Sequence, residues 1–398
     1  MDITIKPEKL SGIVNAIPSK SQTHRLLICS AFADAPTTLI CPEINDDIQA
    51  TAGCLNALGA SIQRTDLGYY INPVRKIPEK AILDCKESGA TLRFLLPITA
   101  AFGVDTTIHM SGRLPSRPLS PLWEEMERMG CRLSRPTETT IRCEGKLLAG
   151  SYYIDGSISS QFITGLLLAA ALMKSPCQVH VTGTLESRPY VDMTQQAMRL
   201  FGVDSSNFRF SGAQSFTSPK EITVEGDWSN SAFFLAARTL GSAVTVTNIH
   251  TNSKQGDRII ADLLPQLQSH CTINVSDIPD LVPIMAVVAA AGNGAVFHGI
   301  HRLRLKESDR VKSVIEMIEA LGGKAEADHN TLTVYGTGLT GGTVDSANDH
   351  RIAMSAAIAS TVCTGPVTIL GAQCVSKSYP LFWEEFTRLG GKYEQYLR

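Results

Sequence analysis

The chain has no C-x-x-C pair, no C-x-x-C-H and no H-E-x-x-H, although it holds ten cysteines in 398 residues. Zinc fingers, c-type haem attachment, thioredoxin-like redox pairs and zinc-peptidase chemistry therefore lack a footing. Scattered, unpaired cysteines fit core packing in a reducing compartment, so a cytoplasmic location is expected. No apolar run reaches membrane-spanning length, and Met1-Asp2-Ile3-Thr4 opens like a strand, so neither a membrane span nor a signal peptide is expected. Aromatic residues make up only 6% and the net charge is −2, which argues against a basic, aromatic-studded nucleic-acid surface. A complete P-loop is missing too. "PSKSQTHR" carries Lys20-Ser21, but the run from Gly12 to Ile17 before it lacks the second glycine that a phosphate cradle needs.

What the chain does have is a repeat. Six polar, hydroxyl-rich clusters each run into an apolar, Ala-rich helix, starting near residues 20, 89, 160, 229, 280 and 350. The starts lie 69, 71, 69, 51 and 70 residues apart. A second, amphipathic set of helices mostly ends in Leu, Met or Phe followed by glycine, near 58, 129, 201, 321 and 389. Glycine there is a helix stop. The fourth copy has Gln268 at the corresponding point and no glycine. First-helix starts and second-helix ends are separated by 38, 40, 41, 39, 41 and 39 residues, and only the gap before residue 280 is short, at 12. The chain therefore reads as six β-α-β-α-β-β repeats with one trimmed, an α/β (α+β) fold. Two domains of three repeats each are expected: residues 19–226, and 1–18 together with 227–398. The first strand is expected to pair within the second of these.

The helix starts draw attention because a buried helix must find partners for its first N–H groups. An uncovered helix N-terminus is also an anion site. Basic residues gather at these strand-to-helix edges: Lys20, Arg25, Arg93, Arg113, Arg117, Lys306, Arg310, Arg351 and Lys377. Each alone reads as a solvated charge; together they read as a binding surface for a small polyanion. Lys306 and Arg310 are expected on an alternating strand that leads into a helix. Two carboxylates stand among these cations. Asp280 precedes an apolar helix and reads either as a first-turn acid or as a proton-transfer group. Glu307 lies between Lys306 and Arg310 and reads either as their ion-pair partner or as a proton-transfer group.

The order "PSKSQTHR", "SGATLR", "RLPSRPL", "GSISSQF", "ESRPYVDMT", "VEGDWSNSAFFLAA", "IPDLVPIMA", "KESDR", "NDHRIAM", "SKSYP" resembles the 5-enolpyruvylshikimate-3-phosphate synthase family over essentially the whole chain. The resemblance implies a two-domain inside-out α/β barrel with the active site in the interdomain cleft. It also implies transfer of the enolpyruvyl group of phosphoenolpyruvate to the 5-hydroxyl of shikimate 3-phosphate with release of phosphate, in the shikimate pathway to chorismate. No cofactor and no metal are implied; the expected partners are the two small substrates, and the expected state is a monomer. Carried over by motif, Lys20, Ser21, Arg25, Ser159, Ser160, Gln161, Ser187, Tyr190, Asp280 and Lys306 would hold shikimate 3-phosphate. Lys20, Gly89, Arg117, Gln161, Arg310, Arg351 and Lys377 would hold phosphoenolpyruvate. Asp280, Glu307 and Lys20 would be catalytic. The chain departs from the family in having Glu87-Ser88-Gly89-Ala90 where many members have Asn-Ala-Gly-Thr, and Phe94 where proline is frequent.

Two other readings carry different expectations. The sister family that moves enolpyruvyl onto UDP-N-acetylglucosamine would show a Lys-Asn pair near the N-terminus and a cysteine in the loop that here reads "GRLPSRPL"; neither is present. A non-catalytic polyanion binder of the same fold would need the basic, aromatic surface that the composition lacks.

Overall fold

A computed structural model describes residues 1–396. Two sets of helices alternate along the chain. The apolar set is α1 (Lys20–Ala31), α3 (Gly89–Phe102), α5 (Ser160–Leu172), α7 (Trp228–Thr239), α9 (Val282–Ala291) and α11 (His350–Ala359). The amphipathic set is α2 (Asp46–Ala57), α4 (Leu122–Arg128), α6 (Arg188–Leu200), α8 (Ile260–Gln266), α10 (Arg310–Ala320) and α12 (Phe382–Arg388). The apolar helices are buried nearly all round, as their lack of a polar face requires: in α9 every residue from Val282 to Ala290 is buried. The amphipathic helices keep one wet face. Five of them end before glycines at φ between 78° and 101° (Gly59, Gly130, Gly202, Gly322, Gly390), a backbone region that side chains with a Cβ avoid.

The chain divides into two compact units, Pro18–Val224, and Met1–Ile17 with Glu225–Arg398. Each has its own apolar core. The sheets repeat one pattern. Lys80–Asp84 pairs parallel with Asp105–His109 across the crossover helix α3, and Thr140–Gly145 and Cys131–Thr137 follow antiparallel. Cys271–Asn274, Ala295–His298, Thr331–Tyr335 and Lys324–Ala327 do the same around α9. Strands expose alternate residues, as in Ser151–Asp155, so one face of each sheet covers the helices and the other meets water.

Two sheets of this pattern are completed by strands from elsewhere in the chain. Glu221–Thr223 joins the first repeat's sheet beside Thr37–Ile40, and Asp2–Lys6 joins the last repeat's sheet between Val367–Leu370 and Lys392–Tyr396. In the fourth repeat, Ser11–Asn15 pairs parallel with Ala243–Thr247. The third repeat differs from the expected hairpin. Beside Ser151–Asp155 and Cys177–Thr182 it has, in place of a hairpin, only the two-residue strand Arg209–Phe210, because its remaining strand serves the first repeat. The alternating sequence before Lys306 is not a strand either. His301–Leu305 is a 3-10 turn that buries the adjacent residues Arg302 and Leu303 together, which a strand would point to opposite faces.

Candidate active site

In the unit Pro18–Val224, three helix starts carry the predicted residues, and each is closed by a serine. The Gln22, Thr91 and Gln161 N–H groups donate to the hydroxyls of Ser19, Ser88 and Ser159. Lys20 opens α1 and donates to Asp47 Oδ2 at 2.8 Å. Ser21 follows it, with its carbonyl accepting from Arg25 Nη1 at 2.6 Å. Arg25 is buried, and its guanidinium also donates to Thr194 Oγ1 at 2.8 Å and to the Tyr190 carbonyl at 2.9 Å. These partners are all neutral, and burial lowers its pKa to about 10. Arg25 thus ties α1 to α6 and leaves an uncompensated positive charge beside Tyr190. Ser160 is the buried first residue of α5, and Ser187, before α6, is buried in left-handed backbone at φ 53°. Such strain in a non-glycine residue persists only where its surroundings impose it.

Gln161 Oε1 accepts from Arg93 Nη1 at 2.7 Å. A Cβ on Gly89 would lie 2.7 Å from Arg117 Nη1 and 3.0 Å from Arg93 Nη1, so two guanidinium groups crowd the first residue of α3. Cations are unfavourable at the positive end of a helix, and an anion there satisfies both. Glu87 does not occupy that place: its carboxylate is turned onto Gly112, where a Cβ would lie 2.4 Å from its Oε2.

In the other unit, Asp280, Lys306, Glu307, Arg310 and Arg351 form one cluster. Asp280 does not cap α9, which starts at Val282 after Leu281 with no side-chain cap. Its carboxylate is left for Arg310 Nη1 at 2.6 Å, Arg351 Nη2 at 3.1 Å and Lys306 Nζ at 3.7 Å. Burial pushes this carboxyl up, but Arg351, Lys306 and Arg310 overrule it and hold it well below the usual carboxylate range. Burial lowers the Lys306 pKa to about 8, against the pull of Asp280. Glu307 is the ion-pair partner of Arg310, at 2.6 Å to Nη2. Lys377 donates to the Asn348 carbonyl at 2.9 Å. That carbonyl belongs to a strained turn, with Ala347 and Asn348 at φ 50° and 55°, just before α11.

Several residues of the two clusters, one in each unit, escape a reading of the sequence. Asp349, fully buried, caps α11 through the Arg351 N–H at 3.0 Å and accepts from Arg310 Nε at 2.8 Å and Ser308 Oγ at 3.1 Å. Its signal was its place as a helix cap before Arg351. Asp47 is the partner of Lys20, and nothing local marks it. His24 is buried, with Nδ1 2.7 Å from Thr51 Oγ1; Thr51 Oγ1 lies 2.6 Å from Thr91 Oγ1, which donates to Ser88 Oγ at 2.7 Å. A buried relay therefore links α1 to the cap of α3. Burial and the nearby Lys20 and Arg25 charges keep the imidazole well below its ordinary pKa, hence neutral. Asp257, buried on the turn Gly256–Ile259, accepts from Ser229, while its Oδ1 has no hydrogen-bond partner. Burial and repulsion from Asp280 raise its pKa to about 7. Among the described residues no group of three or more His, Cys, Asp or Glu is arranged to hold a metal ion.

Each unit thus carries its own cluster of basic side chains at helix starts, and in the second the carboxylates Asp280, Glu307 and Asp349 lie among them. Comparison with known proteins shows the family. The sequence profile of EPSP synthase (3-phosphoshikimate 1-carboxyvinyltransferase) matches residues 5–273 and 265–386. The 3-phosphoshikimate 1-carboxyvinyltransferase of Clostridium kluyveri is 36% identical over 424 residues, covering 99% of this chain and 98% of that protein. That of Clostridium perfringens is 36% identical over 420 residues, covering 98% of each. Among solved structures, EPSP synthase from Acinetobacter baumannii superimposes with a TM-score of 0.80 at 23% identity, covering 99% of this chain and 100% of that one. The enolpyruvyl transferase NikO from Streptomyces tendae does so at 0.73 and 17%, covering 99% and 98%.

Proposed function

The chain belongs to the EPSP synthase family, and on that premise we propose how its residues divide the work of 3-phosphoshikimate 1-carboxyvinyl transfer. The reaction joins the enolpyruvyl group of phosphoenolpyruvate to the 5-hydroxyl of shikimate 3-phosphate and releases phosphate. Its fold is the two-domain inside-out α/β fold. Both substrates carry a phosphate and a carboxylate, so the catalyst must supply several fixed cations, worth most where water is excluded.

Lys20, Ser21, Arg25, Ser159, Ser160, Ser187, Tyr190 and Lys306 hold shikimate 3-phosphate in this reading. Gly89, Arg117, Arg310, Arg351 and Lys377 hold phosphoenolpyruvate, and Lys20 and Gln161 serve both. Addition needs a proton on the phosphoenolpyruvate methylene and the loss of one from the 5-hydroxyl. Asp280 takes the hydroxyl proton, while Glu307, with Lys306 beside it, handles the methylene and methyl proton. Elimination of phosphate from the tetrahedral ketal then returns the vinyl group. The observation that carries this division is the cluster of Asp280 and Glu307 on Arg310, both at 2.6 Å, with Lys306 alongside. Phosphate release from the two substrates with EDTA present is the assay. Turnover that Asp280→Asn and Lys20→Ala leave undiminished would remove both assignments. A cytoplasmic monomer is part of the same reading. Ten cysteines that are all free thiols support the location, and light scattering on the purified chain tests the monomer.

A further inference from the structure

Every nitrogen of Arg310 already donates to a carboxylate. Its Nη1 donates to Asp280 at 2.6 Å, its Nη2 to Glu307 at 2.6 Å and its Nε to Asp349 at 2.8 Å, and the side chain is 1% exposed. Arg351 is engaged as well, with Nη2 on the Asp280 carboxylate at 3.1 Å and Nη1 on the Asp280 carbonyl at 3.2 Å. A guanidinium recognises a carboxylate or phosphate by directing two N–H groups at it. An anionic substrate gripped by both terminal nitrogens of Arg310 therefore competes with Asp280 and Glu307, and on Arg351 it competes with the Asp280 carboxylate and carbonyl.

The three carboxylates are not equally able to give way. Asp349 has no exposed surface and spends its oxygens on the Arg351 N–H, the Ser308 hydroxyl and Arg310. Releasing it would uncap α11 and strand a buried charge. Asp280 caps nothing and keeps 19% of its side chain exposed. Glu307 lies between a 3-10 turn and α10 with 27% exposed. Asp280 is faced by Arg310 from α10, Arg351 from α11, Lys306 after the 3-10 turn and the Asp257 carboxyl from Gly256–Ile259.

We propose that Asp280 and Glu307 are exchangeable counter-ions, which occupy the anion sites of Arg310 and Arg351 until phosphoenolpyruvate displaces them, while Asp349 is a fixed positioning residue that keeps Arg310 aimed throughout. This rests on the substrate assignment above. Its consequence is timing. Three cations suppress the basicity of Asp280, and the substrate's own negative charge draws two of them away. The carboxylates become effective proton-transfer groups only once the group they act on is in place.

The test is calorimetric titration of phosphoenolpyruvate alone into the wild-type chain, Asp280→Asn, Glu307→Gln and Asp349→Asn, with turnover measured in parallel. Removing a competing carboxylate is expected to tighten phosphoenolpyruvate binding about tenfold in Asp280→Asn and in Glu307→Gln. The same two variants are expected to lose roughly 100-fold or more in turnover. Asp349→Asn is expected to weaken binding about tenfold, because a misaimed Arg310 loses its charge-assisted pair. If a general field of negative charge were the cause, all three variants would bind more tightly, and that result overturns the proposal. Unchanged or weaker binding in Asp280→Asn and Glu307→Gln overturns it too. Should Asp349→Asn fail to fold, Ser308→Ala loosens the same anchor, and binding as tight as wild type there would refute the role of Asp349. A wild-type chain that releases no phosphate from both substrates would instead refute the substrate assignment itself.

Discussion

Thr51→Val removes one buried hydroxyl and keeps the shape of the side chain. Thr51 is fully buried, and its hydroxyl lies 2.7 Å from His24 Nδ1 and 2.6 Å from Thr91 Oγ1. His24 Nε2 already has no hydrogen-bond partner. In the variant the imidazole loses the bond it has, while Thr91 keeps Ser88. One orphaned buried polar group costs about 1–3 kcal/mol and one lost hydrogen bond about 0.5–1.5 kcal/mol, so the sum is about 1.5–4.5 kcal/mol. For a unit of some 200 residues, about 3 kcal/mol lowers Tm by about 6–12 °C. Scanning calorimetry reads this directly. His24→Leu with Thr51→Val is expected to cost less than the two single changes added, because the orphaned nitrogen goes with the imidazole. A Tm within about 2 °C of wild type in Thr51→Val would refute the idea that the relay stabilises the unit.

Three further outcomes follow from burial and charge. His24 has a folded pKa well below 6.5, so the unfolded chain binds the extra proton; the unit Pro18–Val224 is expected to be fully stabilised by this group above pH 6.5 and to lose up to about 1.4 kcal/mol per pH unit below it. Urea midpoints from about pH 5 to about pH 8, where a histidine changes charge, check this, and His24→Leu should flatten the slope. Asp257 is shifted the other way, to about 7 from 3.8, so keeping it folded costs stability as pH rises through that window; Asp257→Asn should therefore stabilise its unit at alkaline pH by thermal melts, with the gain shrinking as pH falls toward 3.8. Gly165 lets α5 approach α3 so closely that a Cβ would lie 2.1 Å from the Arg93 carbonyl. Gly165→Ala should cost about 1–3 kcal/mol and raise the KM for phosphoenolpyruvate through the displaced Arg93; wild-type melting and KM would contradict this.

The helices were readable in the sequence because each is a local object. Six starts at residues 20, 89, 160, 228, 282 and 350 lie within two residues of the polar-to-apolar transitions, and the glycine stops fall where the amphipathic helices end. Sheet completion was not readable in the same way. The partner of Thr37–Ile40 is Glu221–Thr223, nearly the whole unit away in sequence, and no local pattern names a partner at that range. The site divides along the same line. Glu307 and Arg310 are three residues apart at a helix start, a spacing that a sequence can show to be a contact. Asp280 and Asp349 meet the same guanidinium from 30 and 39 residues away. Asp349 does not stand out in the sequence because a capping acid looks like an answer to a local problem, the free N–H groups of α11. It solves that problem and a remote one with the same two oxygens. A sequence shows which residues have the chemistry, and only the fold shows which of them are already spoken for: the three nitrogens of Arg310 are held by Asp280, Glu307 and Asp349, two of them remote in sequence.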